Sequence, residues 1–168
     1  MIVSNSSPLI ALAKVRLLSL LKELYGKVLI PKTVYEEVVL TGRGRLGARE
    51  VGKALDEGWI ETRSALPDPI LADLLGRGEA EAVTLAKQLN LPLLIDDSKG
   101  FIMAKTLRIQ VTGTIGILVK AYQSGLTKDL KQVLDDLRNK GFWISDKLYN
   151  EILRRYARKG LQPAKNDE

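Results

Sequence analysis

The stretch Gly78-Glu79-Ala80-Glu81-Ala82-Val83-Thr84-Leu85-Ala86-Lys87-Gln88-Leu89, followed closely by Pro92-Leu93-Leu94-Ile95-Asp96-Asp97, carries the strongest structural signal in the chain. The first part has apolar residues at Ala80, Val83, Leu85 and Ala86 and reads as a helix from Glu79 to Leu89. The second, Pro92 to Ile95, is a short apolar run that ends on two carboxylates. It reads as a buried central strand with Asp96 and Asp97 at its C-terminal end. Ser98 to Leu107 then reads as the next helix.

The same alternation extends in both directions. Ile2-Val3 is a short buried strand, and Ser6-Ser7-Pro8 looks like a helix start, with Ser as cap and Pro at the first helical position. Leu17, Leu18, Leu20, Leu21 and Leu24 make another helical stripe. Lys27-Val28-Leu29-Ile30-Pro31 is a strand that stops at proline, and Lys32 to Leu40 is a helix. Thr41 to Gly47 is a basic, glycine-rich loop. Arg49 to Glu57 reads as helix, Trp59 to Thr62 as strand, and Pro67-Asp68-Pro69 as a break. Ile109 to Val111 is the last strand, and Ile117 to Tyr122 follows as helix. Strands alternating with helices predict an α/β fold with a parallel sheet of about five strands covered on both faces. Two amphipathic helices follow, marked by Leu130, Val133, Leu134 and Leu137 and by Leu148, Ile152 and Leu153. The expected organisation is a core over 1–125, C-terminal helices over 126–160 packed on the same domain, and a disordered tail over 161–168.

Composition restricts the chemistry. The 168 residues include no Cys and no His, so thiolate sites, disulfides and imidazole-based triads are excluded. Acid–base or metal chemistry must run on Asp, Glu, Lys, Ser, Thr, Tyr, the backbone or bound water, and hard oxygen ligands favour Mg²⁺ or Mn²⁺. With aromatics at 5% and apolar residues at 45%, the core must be built from Leu, Ile, Val and Ala. The net charge of +6 suits a polyanionic partner such as nucleic acid, and equally a soluble protein that happens to be basic. No apolar run is long enough to cross a bilayer, and the start of the chain has no signal-peptide pattern, so a cytoplasmic protein is expected.

In a parallel sheet, sites form at the carboxyl ends of the strands. That rule places Asn5, Asp96-Asp97 and Thr112 on one rim. Two adjacent carboxylates repel unless a cation relieves them. Equally, one Asp can cap the following helix while the other binds metal. Glu79 and Glu81 are two residues apart and do not share a helical face, so at most one points into a given site. Asn5 is open to a local turn role, and Thr112 and Thr114 to capping.

The order of these blocks resembles the PIN-domain family, and within it a subfamily related to VapC-type toxin ribonucleases. The resemblance is carried by Val3-Ser4-Asn5-Ser6-Ser7-Pro8-Leu9-Ile10, by Ile30-Pro31 through Val34-Tyr35-Glu36-Glu37-Val38, and by Gly76-Arg77-Gly78-Glu79-Ala80-Glu81-Ala82 with Leu94-Ile95-Asp96-Asp97. Gly113-Thr114-Ile115-Gly116-Ile117-Leu118 and the ending around Gly141-Phe142-Trp143-Ile144-Ser145 extend it over nearly the whole chain.

The resemblance implies a three-layer α/β/α fold and a metal-dependent endoribonuclease, the toxin of a toxin–antitoxin pair. The alternative is a catalytically weak or inactive PIN domain serving as an RNA-binding or protein-interaction module. The implied catalytic residues are Asn5, Glu37, Glu79 and Asp97. The implied ligands to Mg²⁺ or Mn²⁺ are Glu37, Glu79, Asp96 and Asp97, with Glu36 a register alternative to Glu37. Ser6, Thr112 and Thr114 would support the site. Under this reading Arg43, Arg45 and Arg49 hold the RNA backbone, a role to which a solvated basic loop is the equal alternative. Asn5 departs from the Asp usual at its position, and an amide ligates through its carbonyl oxygen but brings no charge. Implied partners are RNA, an antitoxin protein and a second copy of the chain.

Overall fold

The computed structural model describes residues 1–156. The chain divides into two units, Met1–Ile117 and one that begins at Leu118.

The first unit is built on a five-stranded parallel sheet: β1 (Ile2–Ser4), β2 (Val28–Pro31), β3 (Ile60–Arg63), β4 (Leu93–Leu94) and β5 (Val111–Thr112). The strand order is β3-β2-β1-β4-β5. Every residue of β1 and β2 is buried. Successive strand residues point to opposite faces, so both faces of the sheet are covered, as the apolar runs predict. Val3, Leu29, Leu93 and Ile95 belong to one core cluster with Ala80, Val83, Ala86 and Ala104. Ile2, Ser4, Val28, Ile30 and Leu94 occupy the opposite face and are equally buried.

The connecting helices are α1 (Ser6–Lys14), α2 (Leu20–Tyr25), α3 (Lys32–Tyr35), α4 (Leu46–Asp56), α5 (Pro69–Leu74), α6 (Arg77–Leu89) and α7 (Ser98–Thr106). α3 runs on into a π-helical turn, Glu36–Leu40, closed by Thr41 N donating to Glu36 O at 2.8 Å. Such turns recur at functional sites. Gly42 follows directly, where a Cβ would lie 2.2 Å from the Val38 carbonyl oxygen.

Three local readings need correction. Asn5, not a serine, is the cap residue of α1, and Pro8 is its third residue. A proline fits there because the first four amides of a helix lack intrahelical partners. α4 begins at Leu46, not Arg49. Pro67-Asp68-Pro69 ends nothing: Asp68 Oδ1 accepts from Ile70 N at 2.8 Å and Pro69 opens α5, so the segment is a helix start.

α8 (Thr114–Gln123) contains the boundary between the units. In the second unit, α9 (Leu130–Asn139) buries Leu130, Leu134 and Leu137. α10 (Asp146–Tyr156) packs with it. Tyr149 OH donates to Asp135 at 2.5 Å, and the Arg138 guanidinium lies 4.2 Å from the Tyr149 ring centroid. Ser145 caps the start of α10, accepting from Leu148 N at 3.2 Å. The expected tail over 161–168 lies outside the described residues.

Candidate metal centre at the strand rim

The strand order locates the site. The chain runs from β1 outward through β2 to β3, then returns to the other side of β1 for β4 and β5. The order therefore reverses between β1 and β4, and open parallel sheets bind ligands at such a reversal, beyond the carboxyl ends of the strands. Asn5 follows β1 directly, and its N–H donates to Leu94 O at 3.3 Å. Asp96 lies two residues beyond β4, and Ile95 N donates to Thr112 O at 2.9 Å. These bonds place Asn5, Asp96 and Thr112–Thr114 on one rim.

Asn5 is the most informative residue there. It is 1% exposed, and neither its Oδ1 nor its Nδ2 has a hydrogen-bond partner. As the N-cap of α1 it would ordinarily accept a bond from the first turn, but it does not. A local turn role therefore does not explain the side chain. A buried amide without partners costs free energy on the order of 1–3 kcal/mol.

Asp96 is half-buried and faces α8. Its Oδ1 accepts from Thr114 N at 2.7 Å and its Oδ2 from Thr114 Oγ1 at 2.5 Å. Gly113 permits this approach, since a Cβ there would lie 2.8 Å from Asp96 Oδ1. Burial raises the Asp96 carboxyl above its ordinary value, and the two Thr114 bonds offset part of that rise. A raised native pKa means that ionisation opposes folding. In the metal-free protein the Asp96 contribution to stability is therefore expected to be fully present below the ordinary carboxyl value near 4 and to be lost as pH rises through the native value. Thermal unfolding in EDTA from pH 3 upward checks this: Asp96→Asn should flatten the profile, and an unchanged profile would refute the assignment.

Asp97 does something else. Its Oδ2 accepts from Gly100 N at 2.7 Å, capping α7. Of the two readings left open for the pair, the cap falls to Asp97 and the rim-facing carboxylate is Asp96.

Glu37, on the π-helical turn, accepts a hydrogen bond from the Ser6 hydroxyl. Its carboxylate lies over the start of α6: a Cβ at Gly78 would come within 3.2 Å of both oxygens. Glu36 is half-buried on the same turn. Glu79 folds back on its own helix start, where a Cβ at Gly76 would meet its Oε2 at 2.2 Å. Glu81 is 4% exposed and bonded to Thr33 Oγ1 at 2.8 Å and Arg77 Nε at 3.1 Å. The two glutamates do point different ways. Glu81 ties α6 to α3, the helix that leads to Glu37, a positioning role visible only once α3 is in place. Thr112 turns its hydroxyl toward Gly113 O at 3.4 Å. Arg43, Arg45 and Arg49 are exposed.

The expected acids are therefore not gathered as a set. Among the described residues, no group of three or more His, Cys, Asp or Glu side chains is placed to hold one ion. The rim instead offers an unpartnered amide, the Asp96 carboxylate and the Ser6-bound Glu37. All are hard oxygen donors, of the kind Mg²⁺ and Mn²⁺ accept.

A family model described as a PIN domain matches residues 1–158. The chain belongs to the PIN-domain family. Among solved structures, this PIN domain is similar to a PilT N-terminus domain protein from the hyperthermophilic archaeon Sulfolobus solfataricus P2. The two share 17% identity over 86% of this chain and 98% of the other, with a TM-score of 0.50, a likeness of fold. A comparison with curated proteins returns no match. PIN domains are generally nucleases and typically use divalent metal ions. Among the described residues, no helix of this PIN domain is long and apolar enough to cross a membrane.

Proposed function

We propose that this PIN domain is a metal-dependent endoribonuclease whose centre is the rim between β1 and β4. The observation that carries the reading is Asn5, an amide buried at a strand-order reversal with both polar atoms lacking partners. Asn5 Oδ1, Asp96 and Glu37 would hold Mg²⁺ or Mn²⁺. Asp97 and Glu79 flank them, next to Asp96 and Gly78 respectively. The cation would supply an activated water and offset negative charge on the phosphodiester.

The chain's own groups prepare the site. Thr114 holds Asp96 with two bonds, and Ser6 orients the Glu37 carboxylate. The net charge of +6 favours approach of RNA. Wild-type protein is expected to cut a fluorophore-labelled single-stranded RNA with Mn²⁺ and to stop when EDTA is added. Equal cleavage in EDTA would sink the proposal.

Two observations favour a second reading, an RNA-binding module without strong catalysis: Asn5 supplies no charge where the family usually has Asp, and among the described residues no three acids are gathered. Calorimetric titration separates the two, because no heat of binding at millimolar Mn²⁺ would leave the module reading. A toxin role, an antitoxin partner, a homodimer and a cytoplasmic setting extend the nuclease reading. Growth arrest on induced expression, relieved by Asp96→Asn, tests the toxin role, and light scattering tests the dimer. The buried leucines of α9 do not offer a dimer face.

A further inference from the structure

Away from the rim, the segment before α5, α5 itself, the second half of α6 and the end of α7 enclose a hollow of about 660 Å³. Pockets that take small ligands span about 300–1,000 Å³. None of the rim residues lines it. Along α6, Lys87 in its wall stands about 12 Å beyond Glu79, at 1.5 Å per residue.

The lining is mainly apolar: Leu66, Pro67, Ile70, Leu71, Met103 and Leu107. Leu66 and Ile70 are 88% and 67% exposed, so two large apolar side chains stand together at the hollow instead of scattered singly. Thr84 also lines it, is 7% exposed, and its hydroxyl has no hydrogen-bond partner. A helical threonine commonly returns its hydroxyl to the carbonyl one turn back, and that bond is absent here. Rotation about χ1 exchanges hydroxyl and methyl, so the hydroxyl can be turned to a ligand.

The charges decide what the ligand is. Lys87 and Asp68 are exposed members of the lining, one of each sign. They pair neither with each other nor, among the described residues, with any other charge. Asp68 commits Oδ1 to the Ile70 amide and keeps its second oxygen. A purely anionic head would meet Asp68, and a purely cationic one Lys87. A head that carries both charges satisfies both, with an apolar body against the leucines.

We propose that this hollow binds a free α-amino acid with a large apolar side chain. Its carboxylate pairs with Lys87, its ammonium group with Asp68, and its side chain enters between Ile70, Leu71 and Met103. A ring N–H finds its acceptor in Thr84, which favours tryptophan over phenylalanine. The proposal does not rest on the nuclease reading.

The test is calorimetric titration of the full chain in EDTA with L-tryptophan, L-phenylalanine, indole-3-propionic acid, which lacks the ammonium group, and tryptamine, which lacks the carboxylate. L-tryptophan should bind best, and loss of either charged group should lower affinity about tenfold or more. Lys87→Ala should weaken L-tryptophan about tenfold and spare tryptamine. Asp68→Asn keeps the α5 cap, so it should weaken L-tryptophan similarly while sparing indole-3-propionic acid. Thr84→Val should remove the preference for L-tryptophan over L-phenylalanine. No L-tryptophan binding at millimolar concentration, equal binding of the two single-charge analogues and L-tryptophan, or unchanged affinity in both charge variants would each overturn the proposal.

Discussion

Asp96→Asn is expected to lower Mn²⁺-dependent RNA cleavage about a hundredfold while leaving the fold in place. The expectation follows from what each atom does. Asp96 spends both oxygens on Thr114, one on its N–H and one on its hydroxyl. Asparagine keeps both bonds, because its carbonyl still accepts the N–H and its amide can donate to a hydroxyl that also accepts. Shape is preserved and only the charge is removed. Asp97→Asn is the companion measurement. Asparagine caps helices as well as aspartate, so the bond to Gly100 N survives and cleavage should stay near wild type. Initial rates at saturating Mn²⁺ check both variants. If Asp97→Asn is the inactive one and Asp96→Asn cleaves normally, the ligand is Asp97.

The second large effect belongs to Asn5, where stability and function should pull in opposite directions. Asn5→Leu removes two unpartnered buried polar atoms at similar volume. It is expected to stabilise the metal-free protein by about 1–3 kcal/mol and to weaken Mn²⁺ binding. Asn5→Asp places a carboxylate in a position that is 1% exposed. Burial would raise its pKa, so the metal-free variant should be most stable below about pH 4 and weaken as pH rises through the raised native value. At neutral pH, Mn²⁺ should return the lost stability and raise cleavage above wild type, since a buried charge is costly only while unpaired. Denaturant unfolding with and without Mn²⁺ reads both variants. No gain from Asn5→Leu, together with Mn²⁺-insensitive stability in Asn5→Asp, would show that no cation binds there.

Much of the fold is legible in the chain because its causes are local. Apolar runs of strand length between helical stripes dictate the α/β alternation, and the strand read over Lys27 to Pro31 is present as Val28–Pro31. α5 is hidden for an equally local reason: Pro67-Asp68-Pro69 carries break and start signals together, and the Asp68 cap decides between them. The candidate site is harder to read. Asp96 and Asp97 are neighbours at a strand end, and a shift of one residue exchanges the faces to which they point. Glu79 and Glu81 are similarly close, and only the packing of α6 beside Thr33 shows which one is buried.

The amino-acid sequence by itself determined the alternation of elements and the kind of chemistry open to the protein. With no His and no Cys, the side chains left to ligate a metal are oxygen donors, which suit hard cations. Tertiary structure alone decided which donors face one another: Ser6 with Glu37 across 31 positions, Asp96 with Thr114 across 18, and Asn5 left without a partner. Those outcomes depend on β1 lying between β2 and β4. Strand order is a non-local result of burying both faces of the sheet at once, so no window of neighbouring residues contains it.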